Sequence, residues 1–124
     1  MACIVIADDD VDVAAFISYS LEVAGHDVHT ALDGVSALEL ARRERPDLVV
    51  LDHGMPGLTG LEVAAALRAD PHTAGLRILM ISGSTLGDEE AAVVDRLVRK
   101  PLRPRQLATL MADMLAENPA PVRR

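Results

Sequence analysis

Tryptophan is absent from this sequence, and Phe16 and Tyr19 are its only aromatics among 124 residues. Any core must therefore be built from aliphatic side chains and alanine, and a carrier of a flat aromatic cofactor, which gains from stacking rings, is disfavoured. Cysteine is nearly absent too: Cys3 stands alone at the start of an apolar run. No disulfide can form within the chain, which fits a reducing cytosol, and we read Cys3 as a small buried hydrophobe. Basic residues are in the minority, 12 Lys and Arg against 19 Asp and Glu, for a net charge of -7 with no basic stripe. That argues against nucleic-acid binding, whose affinity comes largely from neutralising phosphates. Long apolar runs are missing as well. Ile4-Val5-Ile6-Ala7 is too short for the apolar stretch of a secretory signal and ends in acids, and no run approaches a membrane span. The expectation is a soluble, cytoplasmic protein that binds no membrane.

What is present is a well-patterned globular domain. Half of the residues are hydrophobic and a quarter charged, a balance that supports one good core at this length. Residues 1–118 read as a single domain, and 119–124, with two prolines and no apolar period, as a tail or the start of a linker. Cys3 to Ala7 reads as a buried strand. From Val11 the period changes, with Val13, Phe16, Ile17, Leu21 and Ala24 on one helical face and Gly25 in the place of a left-handed cap. Asp27 to Ala31 is a second, less apolar strand nearer an edge. Asp33-Gly34 opens a helix in which Val35, Leu38 and Ala41 share a face, and Pro46 stops it.

Asp47 to Asp52 is the most apolar strand, broken by Gly54, Pro56, Gly57 and Gly60. A helix starting at Thr59 or Gly60 carries Leu61, Ala64, Ala65 and Leu67. Leu76 to Ile81 is a fourth strand, followed by a weak helical segment around Asp88 to Asp95. Leu97 to Arg99 is a last short strand, and Arg105 to Glu117 a final helix with Leu107, Leu110, Met111 and Met114 inward. Strand and helix alternate about five times with short connections. That pattern predicts an α/β fold, a doubly wound five-stranded parallel sheet with helices on both faces.

In such a sheet the loops after the strands converge on one edge, where ligands bind. Asp8-Asp9-Asp10 follow the first strand, Asp52 ends the third, Ser82 follows the fourth and Lys100 the last. Clustered carboxylates repel one another unless a cation or a proton relieves them, and hard oxygen donors are what Mg2+ prefers. An ammonium and a hydroxyl beside them balance charge on a phosphoryl group. Asp10 is as suited to capping the first helix as to neighbouring a metal.

Taken together, Asp8-Asp9, Asp52 with Met55, Pro56 and Gly60, then Ser82-Gly83, then Lys100-Pro101, in this order and phase, resemble the receiver domain of bacterial two-component response regulators, of the chemotaxis-regulator-like type. The resemblance covers roughly Cys3 to Glu117. It implies the flavodoxin-like receiver fold and a phosphoacceptor switch. Asp52 would take a phosphoryl group from a phosphohistidine on a sensor histidine kinase or a histidine phosphotransfer protein. Asp9 would hold Mg2+ directly, or Mn2+ in its place, and Asp8 would do so mostly through water. Asp52 and the backbone carbonyl of Gly54 complete the protein's ligands. Lys100 would pair with Asp52 and then with the phosphoryl group, and Ser82 would bond another phosphoryl oxygen as the switch. Gly54 and Ser84 would flank the route for attacking water, His53 would tune access and hydrolysis, and the bond before Pro101 would be cis. Such a chain is not an enzyme for a separate substrate; it catalyses at most its own phosphorylation and dephosphorylation. Its output would pass through contacts with a downstream protein whose identity the sequence does not give.

Two departures concern the output. Receivers carry an aromatic residue three positions before the lysine, where this chain has Leu97. The stretch between Ser82 and Lys100 is about one helical turn short, so the fourth helix of the family should be short or irregular here. Two other readings compete: a receiver fragment of a longer regulator, and a Mg-dependent aspartyl-phosphate phosphohydrolase using Asp8 and Asp10. His26, His29 and His72 read as plain surface residues.

Overall fold

A computed structural model describes residues 2–83, 92–100 and 104–116. Its elements are β1 (Cys3–Ala7), α1 (Val11–Val23), β2 (Asp27–Ala31), α2 (Gly34–Glu44), β3 (Leu48–Asp52), α3 (Gly60–Ala69), β4 (Arg77–Ser82), β5 (Arg96–Arg99) and α4 (Pro104–Ala116). The strands form one five-stranded sheet in the order β2-β1-β3-β4-β5, and every pairing is parallel. The order reverses between β1 and β3, and a crevice opens at such a reversal.

Two apolar layers hold the helices to the sheet. Val5, Ala7, Val49, Leu51, Ile78 and Met80 project to one face, where they meet Ala37 and Ala41 of α2 and Val63, Ala64 and Leu67 of α3. Ile4, Ile6, Leu48, Val50, Leu79, Ile81 and Val98 project to the other, against Ile17 and Leu21 of α1 and Leu107, Met111 and Met114 of α4. The strands thus alternate sides residue by residue but are apolar on both, as a doubly covered parallel sheet requires. β3, its central strand, is buried at every position. Each fully buried aliphatic side chain there is worth roughly 1.5–3 kcal/mol of transfer free energy.

The helix starts follow their caps. Asp10 caps α1 and Asp33 caps α2, while Thr59 and Glu62 form a reciprocal capping box on α3. Gly25 follows α1 with φ +95°, a conformation that glycine adopts without strain. Arg45 does the same work after α2 at φ 46°, which costs a residue with a Cβ.

Three inward faces differ from expectation. α1 seats Ala14, Ile17 and Leu21, while Phe16 is 50% exposed and Ala24 is exposed; small Ala14 lets the helix lie close to the sheet, so Phe16 is displaced to the flank. α2 seats Ala37 and Ala41 with Val35 outside, and α3 seats Val63 where Ala65 was expected. The expected weak helix around 88–95 fares differently at its two ends. Residues 84–91 lie outside the described residues, and 92–95 are turns and bends leading into β5. Ser84, Pro101 with its preceding bond, and the tail 119–124 also lie outside them.

Candidate functional site

Strand parity brings the acids together. Asp8, Asp52 and Lys100 continue the alternation of Ile6, Val50 and Val98, all on the α1 and α4 side of the sheet. Ser82 ends β4, in the opposite phase. The backbone then fixes each one beyond its strand. The Asp8 N–H donates to the Ala31 carbonyl at 3.1 Å, and the His53 N–H to the Ile81 carbonyl at 2.9 Å. The Lys100 N–H donates to the Ser82 carbonyl at 2.9 Å, carrying the β4–β5 ladder to the site.

The loop after Asp52 is anchored at three points. Met55 is buried in the core. The Pro56 carbonyl accepts from Gly34 N–H at 3.3 Å, and the Gly60 N–H donates back to the His53 carbonyl at 3.0 Å. At Gly60 the approach is close: a Cβ there would meet the Asp52 carbonyl oxygen at 2.6 Å and Met80 Sδ at 2.9 Å. Only glycine lets α3 start this near the strand that carries Asp52.

The result is an open cleft lined by Asp9, Asp10, Asp52, His53, Gly54, Ser82, Gly83 and Lys100. Carboxylate oxygens of Asp8, Asp9 and Asp52 lie within 4.8 Å of one another. Asp8 and Asp52 are buried and Asp9 is exposed. Lys100 Nζ lies 3.0 Å from Asp52 Oδ1, a charge-assisted contact to a buried carboxylate. Asp8 Oδ1 accepts from the Asp10 N–H at 2.9 Å, but its Oδ2 is buried with no hydrogen-bond partner. Asp10 turns its own carboxylate to α1, accepting from Asp12 N–H at 3.0 Å and Val13 N–H at 3.3 Å. Of the two roles open to it, capping is the one the geometry displays.

The charges are coupled. Burial raises the Asp8 carboxyl above the usual aspartate range, the Asp10 N–H and Lys100 pull it down, and Asp52 and Asp9 push it up. For Lys100, burial favours the neutral amine, but the hydrogen bond to Asp52 and the charges of Asp52, Asp8 and Asp9 outweigh it and hold its pKa above the ordinary lysine value. Three carboxylates facing one ammonium leave the cleft short of positive charge. An orphaned buried carboxylate oxygen beside two further hard donors suits Mg2+ in chemistry and in charge.

All six residues singled out from the sequence meet here: Asp8, Asp9, Asp52, Gly54, Ser82 and Lys100. His53 joins them, with its Nδ1 buried and without a partner. Sequence reasoning left two things unseen. Gly60 reads from the sequence as a strand breaker and part of the family motif, while its contact with the Asp52 carbonyl leaves no trace in the local pattern. Cys3 is only partly buried, so it is not the buried hydrophobe expected; it starts β1 beside the edge strand, where cover is thinner. Leu97 is partly buried against the α2 and α3 side of the core, among Val93 and Val94.

Comparison with known proteins agrees with this geometry. The family model described as the response regulator receiver domain matches residues 4–112. The DNA-binding response regulator MtrA of Mycolicibacterium paratuberculosis is 36% identical over 121 residues, covering 93% of this chain and 52% of that protein. The chain thus spans about half the length of that relative, and 48% of the transcriptional regulatory protein PrrA of Mycobacterium bovis. Among solved structures, the chemotaxis response regulator CheY4 of Vibrio cholerae superimposes with a TM-score of 0.85 at 31% identity, covering 92% of this chain and 98% of that one. The response regulator TrrA of Thermotoga maritima, solved in complex with Mg2+ and BeF, gives 0.83 at 27% identity, covering 92% and 99%. With its parallel five-stranded sheet and the acids, hydroxyl and lysine at one edge, the chain belongs to the response regulator receiver domain family.

Proposed function

We propose that this domain is a phosphoacceptor switch whose reacting group is Asp52. The observation that carries the reading is the Asp52 carboxylate itself. It is nearly buried, held by Lys100 at 3.0 Å, and opens only into a cleft whose other wall is acidic. A nucleophile so placed is oriented by its partner and shielded from all but one direction of approach. A carboxylate oxygen of Asp52 attacks the phosphorus of a phosphohistidine on a sensor kinase or phosphotransfer protein. The new O–P bond forms as the P–N bond breaks, and the imidazole leaves with the bonding pair.

Lys100 neutralises the attacking carboxylate and follows the charge onto the phosphoryl oxygens. The Ser82 hydroxyl donates to another of those oxygens, which makes it the natural reporter of phosphorylation. Asp8, Asp9, Asp52 and the Gly54 carbonyl would hold Mg2+, or Mn2+ in its place. When bound, the ion offsets the repulsion between these carboxylates and an anionic phosphoryl donor. Hydrolysis of the acyl phosphate returns Asp52, so the domain turns over only its own phosphoryl group.

The competing phosphohydrolase reading needs Asp8 as nucleophile with Asp10 as the second acid. Asp8 keeps one oxygen without a partner, but Asp10 Oδ1 accepts from the N–H groups at the start of α1, so the second acid that reading needs is engaged as a helix cap. Output passes to a protein partner; Leu97, with neither ring nor hydroxyl, can take part in it only through packing. The net charge of -7 supports contact with protein rather than nucleic acid for this domain. The DNA binding named for its relatives belongs to proteins about twice as long.

The reading is tested with a small phosphodonor such as acetyl phosphate or phosphoramidate. With Mg2+ present, intact mass should rise by one phosphoryl group, and Asp52→Asn should gain none. Equal gain in the variant would overturn it, and turnover of a free phosphate ester would favour the phosphohydrolase.

A further inference from the structure

At the end of the sheet opposite Asp52, the first residues of β1 and β2 gather a different set of donors. Parallel pairing sets Cys3 against Asp27 and Val5 against His29, so alternation puts Cys3, Asp27 and His29 on one face. A thiol sulfur, a carboxylate oxygen and an imidazole nitrogen from these three lie within 4.8 Å of one another. The last residue of α2 overhangs the same face: Glu44 Oε1 is 3.5 Å from His29 Nε2, and Asp27 Oδ2 is 3.2 Å from that same nitrogen. The other Glu44 oxygen, Oε2, takes the Arg43 Nε–H at 3.1 Å.

Asp47 clamps the Cys3 backbone from both sides. Its Oδ2 accepts from the Cys3 N–H at 2.9 Å, and its own N–H donates to the Cys3 carbonyl at 2.7 Å. One imidazole nitrogen cannot serve two carboxylates with a single proton. With the proton on Nδ1 instead, the Nε2 lone pair faces two carboxylates, and the Arg43 guanidinium is engaged on the far oxygen of Glu44.

We propose that Cys3, Asp27 and His29, with Glu44 as fourth donor, form a site for a borderline divalent transition ion of the Zn2+ class. Mixed sulfur, nitrogen and oxygen donors suit such an ion, whereas Mg2+ takes oxygen alone. This separates the site in chemistry, as in position, from the acidic cleft. Metal–ligand bonds of about 2.0–2.3 Å require the Cys3, Asp27 and His29 donors to close in by roughly an ångström, with Glu44 Oε1, 3.5 Å from His29 Nε2, swinging in beside them. Entry is open, since the Asp27 side chain is 57% exposed and that of His29 30%. On binding, the S–H bond breaks, its proton leaves to solvent, and the freed sulfur pair makes the metal–sulfur bond. The ion would then tie edge strand β2 to β1 and to the end of α2.

Co2+ is the probe, added to the reduced chain of 124 residues. One equivalent should produce a near-ultraviolet thiolate-to-cobalt band with strong visible bands of four-coordinate geometry, and Zn2+ should bleach both. Cys3→Ser should abolish the thiolate band. His29→Gln should weaken binding on the order of 100-fold, since losing even a supporting partner costs 10–100-fold. Asp9→Asn should leave the band intact, because that acid belongs to the other cleft. Absence of a thiolate band in the unaltered chain would overturn the site. So would an unchanged band and affinity in His29→Gln, the mark of a lone thiol binding adventitiously, or loss of the band in Asp9→Asn. Far-ultraviolet circular dichroism checks that each variant is folded.

Discussion

The Asp8 carboxylate spends its life with one oxygen bonded to a backbone N–H and the other bonded to nothing. An unpaired buried acceptor near like charges costs stability. Because burial raises the Asp8 pKa above its unfolded value, the ionised form is disfavoured by folding. Stability is therefore lost as pH rises from the unfolded to the folded pKa and is restored by acid. Asp8→Asn should stabilise the metal-free protein by about 1 kcal/mol at neutral pH, read as a rise in melting temperature that disappears in acid. A drop at neutral pH would mean that Asp8 is satisfied in a way this geometry does not contain.

Lys100 behaves in the opposite sense. Its folded pKa lies above the ordinary 10.5, so its contribution is complete below that value and is lost as pH rises through the folded pKa. With its side chain 42% exposed, solvent screening keeps that contribution small. Lys100→Met should flatten the alkaline limb of the stability profile, and should slow phosphorylation of Asp52 at neutral pH far more than it lowers stability. At Gly60, an added methyl group would have to displace the Asp52 carbonyl. Gly60→Ala should cost roughly 1–3 kcal/mol in urea unfolding and slow phosphorylation as well, since Asp52 moves with its backbone.

Among the elements, α3 does more than cover the sheet. Near its end, the Arg68 guanidinium donates to the carbonyls of Val93, Ala74 and Leu76 and to Asp95 Oδ2, while Asp95 Oδ2 also accepts the Ile78 N–H at 2.7 Å. One side chain thereby fixes the segment that enters β5 and so, three residues after Leu97, the position of Lys100. Arg68→Ala should cost about 2–4 kcal/mol by removing the donor shared by three carbonyls and by leaving Asp95 with the Ile78 N–H but without its guanidinium partner. Hydrogen exchange should show the loss concentrated in residues 92–99. This network was invisible in the sequence because its partners lie 6–27 residues away from Arg68 and three of them are backbone atoms.

Strands and caps were far easier to read. Apolar runs that end in Asp or Ser announce both the parallel sheet and its reactive edge, because strand parity carries the acids to one side. Helix faces were harder. Periodicity marks several candidate stripes, and which one seats depends on how close a small residue such as Ala14 or Ala37 lets the helix come. The apolarity of Phe16 and Val35 predicts inward side chains, yet they are 50% and 49% exposed. Surface apolarity alone decides nothing.

For the molecule as a whole, part of the net charge of -7 is focused at one edge, where three carboxylates meet a single ammonium. A divalent cation held there would bind the folded state and not the dispersed acids of the unfolded chain, and so would stabilise by mass action. Millimolar Mg2+ should raise the melting temperature of the unaltered chain and leave Asp9→Asn nearly unmoved. No helix among the described residues is long and apolar enough to cross a membrane, and the receiver fold presents its site to solvent. The central claim is that phosphoryl transfer ends on Asp52. Its most direct test is to phosphorylate the protein, reduce it with borohydride, and map the peptides by mass spectrometry. An acyl phosphate is reduced to an alcohol, so position 52 should be recovered as homoserine; homoserine at position 8, or none at all in protein shown to carry phosphate, would contradict the account.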